Sequence, residues 1–195
     1  MARPREFDEE TVLEAATQRF WNNGYDATSM RDLADHTGMT TPSLYNAFGD
    51  KRAIYRLVLD RYVRRALESC AVIFGGDDLP LRALERYFDA IVEDSLADGL
   101  HKGCFVVNTA LEVASHDQDF RDVVTEVFDE IQKCIRECVA AGQRDGSILT
   151  SQPPADLARL ALSTTLGLRV LARTNPDREL LTGVVRPFFM LLRKQ

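Results

Sequence analysis

The sequence is short of several features at once, and each shortage removes a class of function. Its longest apolar runs, such as FFMLL near the C-terminus, are far too short to span a bilayer, so no membrane partner is expected. The opening segment MARPREFDEE lacks the apolar stretch of a secretory signal, which makes the cytoplasm the expected location. The four cysteines, Cys70, Cys104, Cys134 and Cys138, contain no C-x-x-C pair. Zinc-ribbon and thioredoxin-like readings therefore lose their signature, and reduced thiols are the plain expectation. No nucleophile elbow, phosphate loop, H-E-x-x-H pair or dinucleotide fingerprint occurs. An enzyme is not expected, no catalytic residue or metal ligand is assigned, and no cofactor is called for. Positive charge is scarce as well: 24 Lys and Arg stand against 30 Asp and Glu, a net charge of −6. Such a chain does not coat nucleic acid by bulk charge. A small, geometric basic footprint reinforced by helix N-termini stays open.

What is present is helical periodicity in a chain of 195 residues, 45% of them hydrophobic, which suits one domain or two small ones. Val12, Ala15, Ala16 and Phe20 recur at helical spacing after the capping residue Asp8, and Gly24 is placed to end that helix. A second helix begins after Thr28 and carries Met30, Leu33 and Ala34 on one side, followed by Gly38 and Met39. A third, short helix runs through Ser43, Leu44, Ala47 and Phe48. Asp50 caps a longer fourth, with Ile54, Leu57, Val58 and Tyr62 expected inward. Beyond GGDDLP, helices are expected at roughly 80–98, 104–115, 117–141, 154–173 and 177–192, separated by Gly-, Pro- and Asp-rich breakers such as AGQRDGS. β-Alternation, fixed-period repeats and low-complexity tracts are missing. The expected fold is all-α: an N-terminal three-helix unit over 6–66, joined by a long helix to a C-terminal bundle over 67–195.

The spacing within 29–48 is that of a helix-turn-helix. Ala34 is small where two helices cross, Gly38 permits a tight turn, and Met39, Leu44 and Ala47 can seal the second helix on the first. Thr40 or Thr41 can cap the second helix, with Pro42 in its first turn. That turn should then offer hydroxyls and unpaired N–H groups to phosphates and base edges. With Leu44 and Phe48 inward, Ser43, Tyr45 and Asn46 are free to point outward. Lys51, and Thr28 with Arg31 at the preceding helix start, can meet phosphates. A packed three-helix unit with merely solvated polar residues has the same spacing.

The stretch VLEAATQRFWNNGYDATSMRDLADHTGMTTPSLYNAFGDKRAIY resembles the N-terminal domain of the TetR/AcrR family of bacterial transcriptional regulators. The Leu–Tyr pair, the Phe three residues on and the following Lys carry the likeness. The resemblance implies a regulator that binds a palindromic double-stranded DNA operator as a homodimer, most simply a repressor released by a small-molecule inducer. It implies Thr28, Arg31, Thr40, Thr41, Ser43, Tyr45, Asn46 and Lys51 as the DNA-facing set. The family often has a basic residue or glycine where this chain has Thr41 and Pro42. Residues 1–52 hold six Lys and Arg against nine Asp and Glu, a net of −3, so Glu9, Glu10 and Glu14 must face away from DNA. Arg3 and Arg5 could form an arm to the minor groove or backbone, or a plain tail.

The resemblance also implies a dimer through the last two helices. Leu157, Leu160, Ala161, Thr164, Thr165, Leu168 and Leu171 on one, with Leu181, Val184, Val185, Phe188, Phe189 and Leu192 on the other, are expected there; an internal core helix pair would look alike. The middle helices would enclose the ligand. GCFVVNTALEVA supplies Cys104, Asn108 and Glu112 as candidate ligand-binding or sensing residues, the last two one turn apart on a helix face. Polar groups there can equally serve neighbouring backbone. Cys104 lies at a predicted helix start, a setting in which thiols react with electrophiles or oxidants. The alternatives are a cysteine-dependent helical enzyme using Cys104 with His101 or His116, and a soft-metal sensor using Cys134 and Cys138 with a third ligand.

Overall fold

The computed structural model describes residues 7–149 and 151–193. The possible arm of Arg3 and Arg5 lies outside them. Among the described residues the chain forms nine helices and no strand: α1 Glu9–Asn23, α2 Met30–Thr37, α3 Thr41–Phe48, α4 Lys51–Phe74, α5 Pro80–Ala97, α6 Phe105–Glu112, α7 Gln118–Asp145, α8 Pro154–Thr174 and α9 Arg178–Leu192. No described helix is long and apolar enough to cross a membrane.

Local chemistry sets most boundaries. Asp8, Ser29, Thr40, Asp50, Asp117 and Asp177 each accept an N–H in the first turn of the helix that follows. Each such cap contributes about 1 kcal/mol. Ser29 and Asp32 form a reciprocal capping box at the start of α2. The AGQRDGS segment ends α7 later than its glycines suggest. Gly142 stays within the helix because Ile148 and Pro80 pack against it; an added Cβ would lie 2.6 Å from Ile148 Cδ1. Gly146, in the left-handed conformation, is the actual stop. At α4 the inward stripe is Ile54, Tyr55, Val58, Leu59 and, partly buried, Tyr62. Leu57, expected inward, is 38% exposed, because it falls nearly opposite the centre of that stripe.

Packing divides the molecule differently from the chain. One core combines α1–α4 with Phe105, Val106, Phe120 and Val123 of α6 and α7. The other joins the end of α4 to α5, the later part of α7, α8 and α9. Tyr55 is the hub of the first core. Its ring lies 4.9 Å from Phe20, 5.2 Å from Phe105 and 5.4 Å from Phe120, in tilted and edge-on arrangements that favour aromatic quadrupoles. Its hydroxyl meets Thr109 Oγ1 of α6 at 2.9 Å, and burial pushes it well above the ordinary tyrosine range.

Candidate nucleic-acid interface and central cavity

The acids of α1 that threatened a DNA-binding surface are accounted for by α4. Arg61 pairs with Glu10, and Arg65 reaches Glu14 at 3.2 Å and Glu10 at 3.3 Å. Arg61 holds the Glu10 carboxyl below its usual range. Two more cations are spent locally: Arg19 on Asp32 at 3.0 Å, and Arg52 on Asp117 at 2.8 Å and Asp119 at 2.6 Å. Arg31 stays exposed, with no hydrogen-bond partner among the described residues.

Helix α3 is amphipathic in the expected sense. Leu44 and Phe48 are buried, while Pro42, Ser43, Tyr45 and Asn46 are exposed and Thr41 is half-buried. Tyr45 leaves half of its surface in solvent. Left-handed Gly38 at φ 72° turns α2 into α3, and Thr40 is the cap, accepting the Ser43 N–H at 3.3 Å. The Thr40 and Ser43 hydroxyls also meet each other at 2.8 Å. The first turn of α3 offers fewer backbone donors than expected. Pro42 has none, the Ser43 N–H goes to Thr40 Oγ1, and the Leu44 N–H goes to the Thr40 carbonyl. The side chains must carry recognition. Lys51 opens α4; its ammonium donates to the Tyr25 carbonyl at 3.0 Å and lies 4.2 Å from the centre of the Tyr25 ring. Two of its three donors remain for a phosphate.

Thr28 is the correction in this set. It is fully buried, and its hydroxyl donates to the Gly24 carbonyl at 2.7 Å. It braces the α1–α2 turn and presents no side chain to a partner.

The cavity the sequence could only anticipate has a volume of about 570 Å³ and lies among α4, α5, α6, α7 and α8. Cys104 is on its wall, as are Tyr62, Tyr87, Asp98 and Arg169, none of which sequence patterning singled out as pocket residues. Asn108 and Glu112 face elsewhere, into a separate cleft of about 170 Å³. Asn108 donates to the Lys102 carbonyl at 2.9 Å and accepts from Arg173 at 3.1 Å. Glu112 accepts the Asp26 N–H at 2.9 Å, tying α6 to the turn before α2. They share a helix face, as their spacing requires, but that face looks at the N-terminal unit and α8.

Cys104 accepts a hydrogen bond from the Tyr62 hydroxyl at 3.6 Å, and among the described residues no hydrogen bond joins it to His101 or His116. The thiol–imidazole pair of the enzyme alternative is therefore not formed. Burial raises the Cys134 thiol and pushes the Cys138 thiol up to about 12. Among the described residues no three His, Cys, Asp or Glu side chains converge as a metal site would require.

The expected dimer residues split in two. Leu157, Ala161, Thr165, Leu168, Leu181, Val185, Phe188 and Leu192 are consumed by the chain's own core. Leu160 and Leu171 are exposed, together with Val170, Leu180, Met190 and Leu191, while Thr164, Val184 and Phe189 are half-buried. A Cβ added at Gly167 or Gly183 would meet nothing within 4 Å.

An all-α chain with a capped recognition helix, an N-terminal core shared with a second helical unit, and a cavity in that unit is a helix-turn-helix DNA-binding regulator. Residues 12–58 match the family described as "Bacterial regulatory proteins, tetR family", and residues 80–188 match "Tetracyclin repressor-like, C-terminal domain". The chain belongs to the TetR family, a family of transcriptional regulators and not of enzymes. It is 29% identical over 183 residues to the HTH-type transcriptional repressor ComR of Escherichia coli, covering 93% of this chain and 87% of that protein. It is 30% identical over 138 residues to the repressor BdcR of the same organism, covering 71% and 68%. Among solved structures, a cysteine mutant of the TetR family regulator CifR, complexed with 26bp double-strand operator DNA, matches with a TM-score of 0.86 and 28% identity, over 98% of this chain and 100% of that one.

Proposed function

We infer that the chain is a cytoplasmic, homodimeric repressor that binds a palindromic operator and is released by a small molecule held in the central cavity. The carrying observation is α3: one face is locked into the core by Leu44 and Phe48, and the other leaves Ser43, Tyr45 and Asn46 uncovered. Tyr45 offers a ring to sugar or a thymine methyl, and Asn46 an amide suited to an adenine edge. Thr40, Thr41, Arg31 and Lys51 supply phosphate contacts. The DNA-binding unit runs to about residue 66, within α4, and the remainder senses and dimerises.

The exposed apolar stripe of α8 and α9, with Gly167 and Gly183 in it, supports dimerisation there, since small residues let helices of two copies approach closely. Two recognition helices would then sit about 34 Å apart. Coupling has a route in named bonds. Cys104, Val106 and Val107, in and just before α6, line the cavity, while Thr109 and Glu112 of the same helix hold Tyr55 and Asp26 of the DNA-binding unit. Trp21 adds a bond to the Gly103 carbonyl at 3.0 Å. A ligand that moves α6 must move these contacts.

Fluorescence anisotropy with the DNA upstream of the chain's own gene tests the reading. Tyr45→Ala combined with Lys51→Ala should weaken binding by about 100-fold, two lost contacts of roughly 1–3 kcal/mol each, without lowering thermal stability. Equal binding by wild type and double variant refutes the site.

A further inference from the structure

The polar groups of the central cavity narrow what can occupy it. Most of its wall is apolar, including Ile73, Ile91, Val127 and Leu166, and its 570 Å³ falls within the range of sites for drug-sized molecules. The hydroxyls on the wall are already committed. Tyr62 donates to Cys104, Thr165 donates to Tyr87 at 3.3 Å, and Ser95 donates to the Ile91 carbonyl at 2.6 Å. Burial pushes both tyrosine hydroxyls above their ordinary range, so they stay neutral. The Lys102 ammonium is held by Gln18 and the Trp21 ring, and Arg65 by the acids of α1.

Two groups are not committed in this way. Asp98 Oδ2 accepts the Gly103 N–H at 2.8 Å, but its Oδ1 is buried and has no hydrogen-bond partner among the described residues. The Arg169 side chain is 19% exposed, and its guanidinium contacts are long: 3.3 Å to Ser95 Oγ and 3.4 Å to Asp94 Oδ2. Both exceed the usual N–H···O distance of about 2.7–3.2 Å. The two groups belong to the same end of the cavity, since Gly103, bonded to Asp98, packs on the Arg169 carbonyl. That end therefore holds a buried acceptor in need of a donor and a buried cationic donor in need of an acceptor.

A hydroxyl is the smallest head group that is both. A carboxylate would satisfy Arg169 and confront Asp98 with a like charge; an ammonium would do the reverse. We propose that the cavity takes a neutral, largely apolar molecule ending in a hydroxyl, such as an alkylphenol or a medium-chain alcohol, with that hydroxyl donating to Asp98 and accepting from Arg169. This rests on the ligand-released regulator reading and names the chemical class of the ligand.

The full-length protein bound to operator DNA is titrated at pH 7 with para-pentylphenol, para-pentylbenzoate and para-pentylbenzylamine, which share a body and differ in head group. Ligand binding is read by calorimetry and DNA release by anisotropy. The phenol should bind on the order of tenfold or more tightly than either charged analogue, the cost of leaving one buried polar group unpaired. Asp98→Asn keeps an acceptor for the Gly103 N–H and turns the other atom into a donor, so the benzoate should gain on the phenol in that variant. Arg169→Gln should weaken the phenol. Benzoate or amine binding as tightly as phenol in the wild type overturns the assignment, as does an unchanged preference in Asp98→Asn. Failure of all three to bind a protein that still holds its operator overturns it too, and leaves the DNA-binding reading standing. Phenol binding with undiminished operator affinity upholds the ligand class and overturns release by ligand.

Discussion

Replacing Gly24 by alanine probes the closest contact between the DNA-binding unit and α6. Gly24 sits at φ 84° and ψ 170°, a region open in practice only to glycine. A side chain there costs about 1–3 kcal/mol in backbone strain. Its Cβ would also lie 2.7 Å from Glu112 Oε1 and 2.9 Å from Oε2. The carboxylate must move, and its bond from the Asp26 N–H goes with it. A hydrogen bond to a charged acceptor contributes about 1.5–3 kcal/mol. Asp26 is exposed, so about 1 kcal/mol is the share expected here. Gly24→Ala should therefore lose about 2–4 kcal/mol in urea denaturation. In a Glu112→Ala background the same change should cost only the backbone part, giving a coupling of about 1 kcal/mol in the double-mutant cycle. Operator affinity should fall as well, because the neighbouring Tyr25 carbonyl holds the Lys51 ammonium. A loss under about 0.5 kcal/mol, the level of an inert surface change, refutes the strain argument. A cycle with no coupling refutes the contact between Gly24 and Glu112.

Thr28→Val should cost about 1 kcal/mol of stability by removing the buried hydroxyl bond to Gly24, yet leave the salt dependence of operator binding unchanged, since no phosphate contact is lost. Gly167→Glu should leave the monomer folded, because a Cβ there meets nothing within 4 Å, and should abolish the dimer in light scattering; a surviving dimer would place the interface elsewhere. Arg52 holds the Asp117 carboxyl below its ordinary value, so this bridge stabilises the fold above about pH 3.9 and is lost as pH falls through the lower folded value. The melting-temperature gap between wild type and Arg52→Gln should accordingly close below pH 4; a gap that persists at pH 2 would rule the bridge out as its cause.

How much was legible depends on the range of the interaction. Asp8, Thr40, Asp50 and Gly38 act on neighbours within four residues, so caps and turn could be read along the chain, and with them the recognition helix and its outward Tyr45. Thr28 was misplaced because its burial depends on how the turn after α1 folds back on Gly24. Leu57 was misplaced because the inward stripe of α4 is centred by Tyr55, whose partners Phe105 and Phe120 are far away in sequence. Asn108 and Glu112 were rightly placed on one helix face, yet spacing along a helix does not say which neighbour that face meets. The later α8 and α9 leucines illustrate the same limit: an apolar stripe is equally a core face or a partner face until a neighbour is known.

The sequence by itself determined the all-α class, the helix-turn-helix and its family, and the absence of a catalytic signature, because periodicity, capping and turn chemistry are local. Only the tertiary structure decided that α6 packs into the DNA-binding core, that Cys104 and Glu112 face opposite ways from it, and that Asp98 and Arg169 meet at one end of a cavity. Those pairings join residues brought close by packing of five helices, and burial of a polar atom is a property of everything around it.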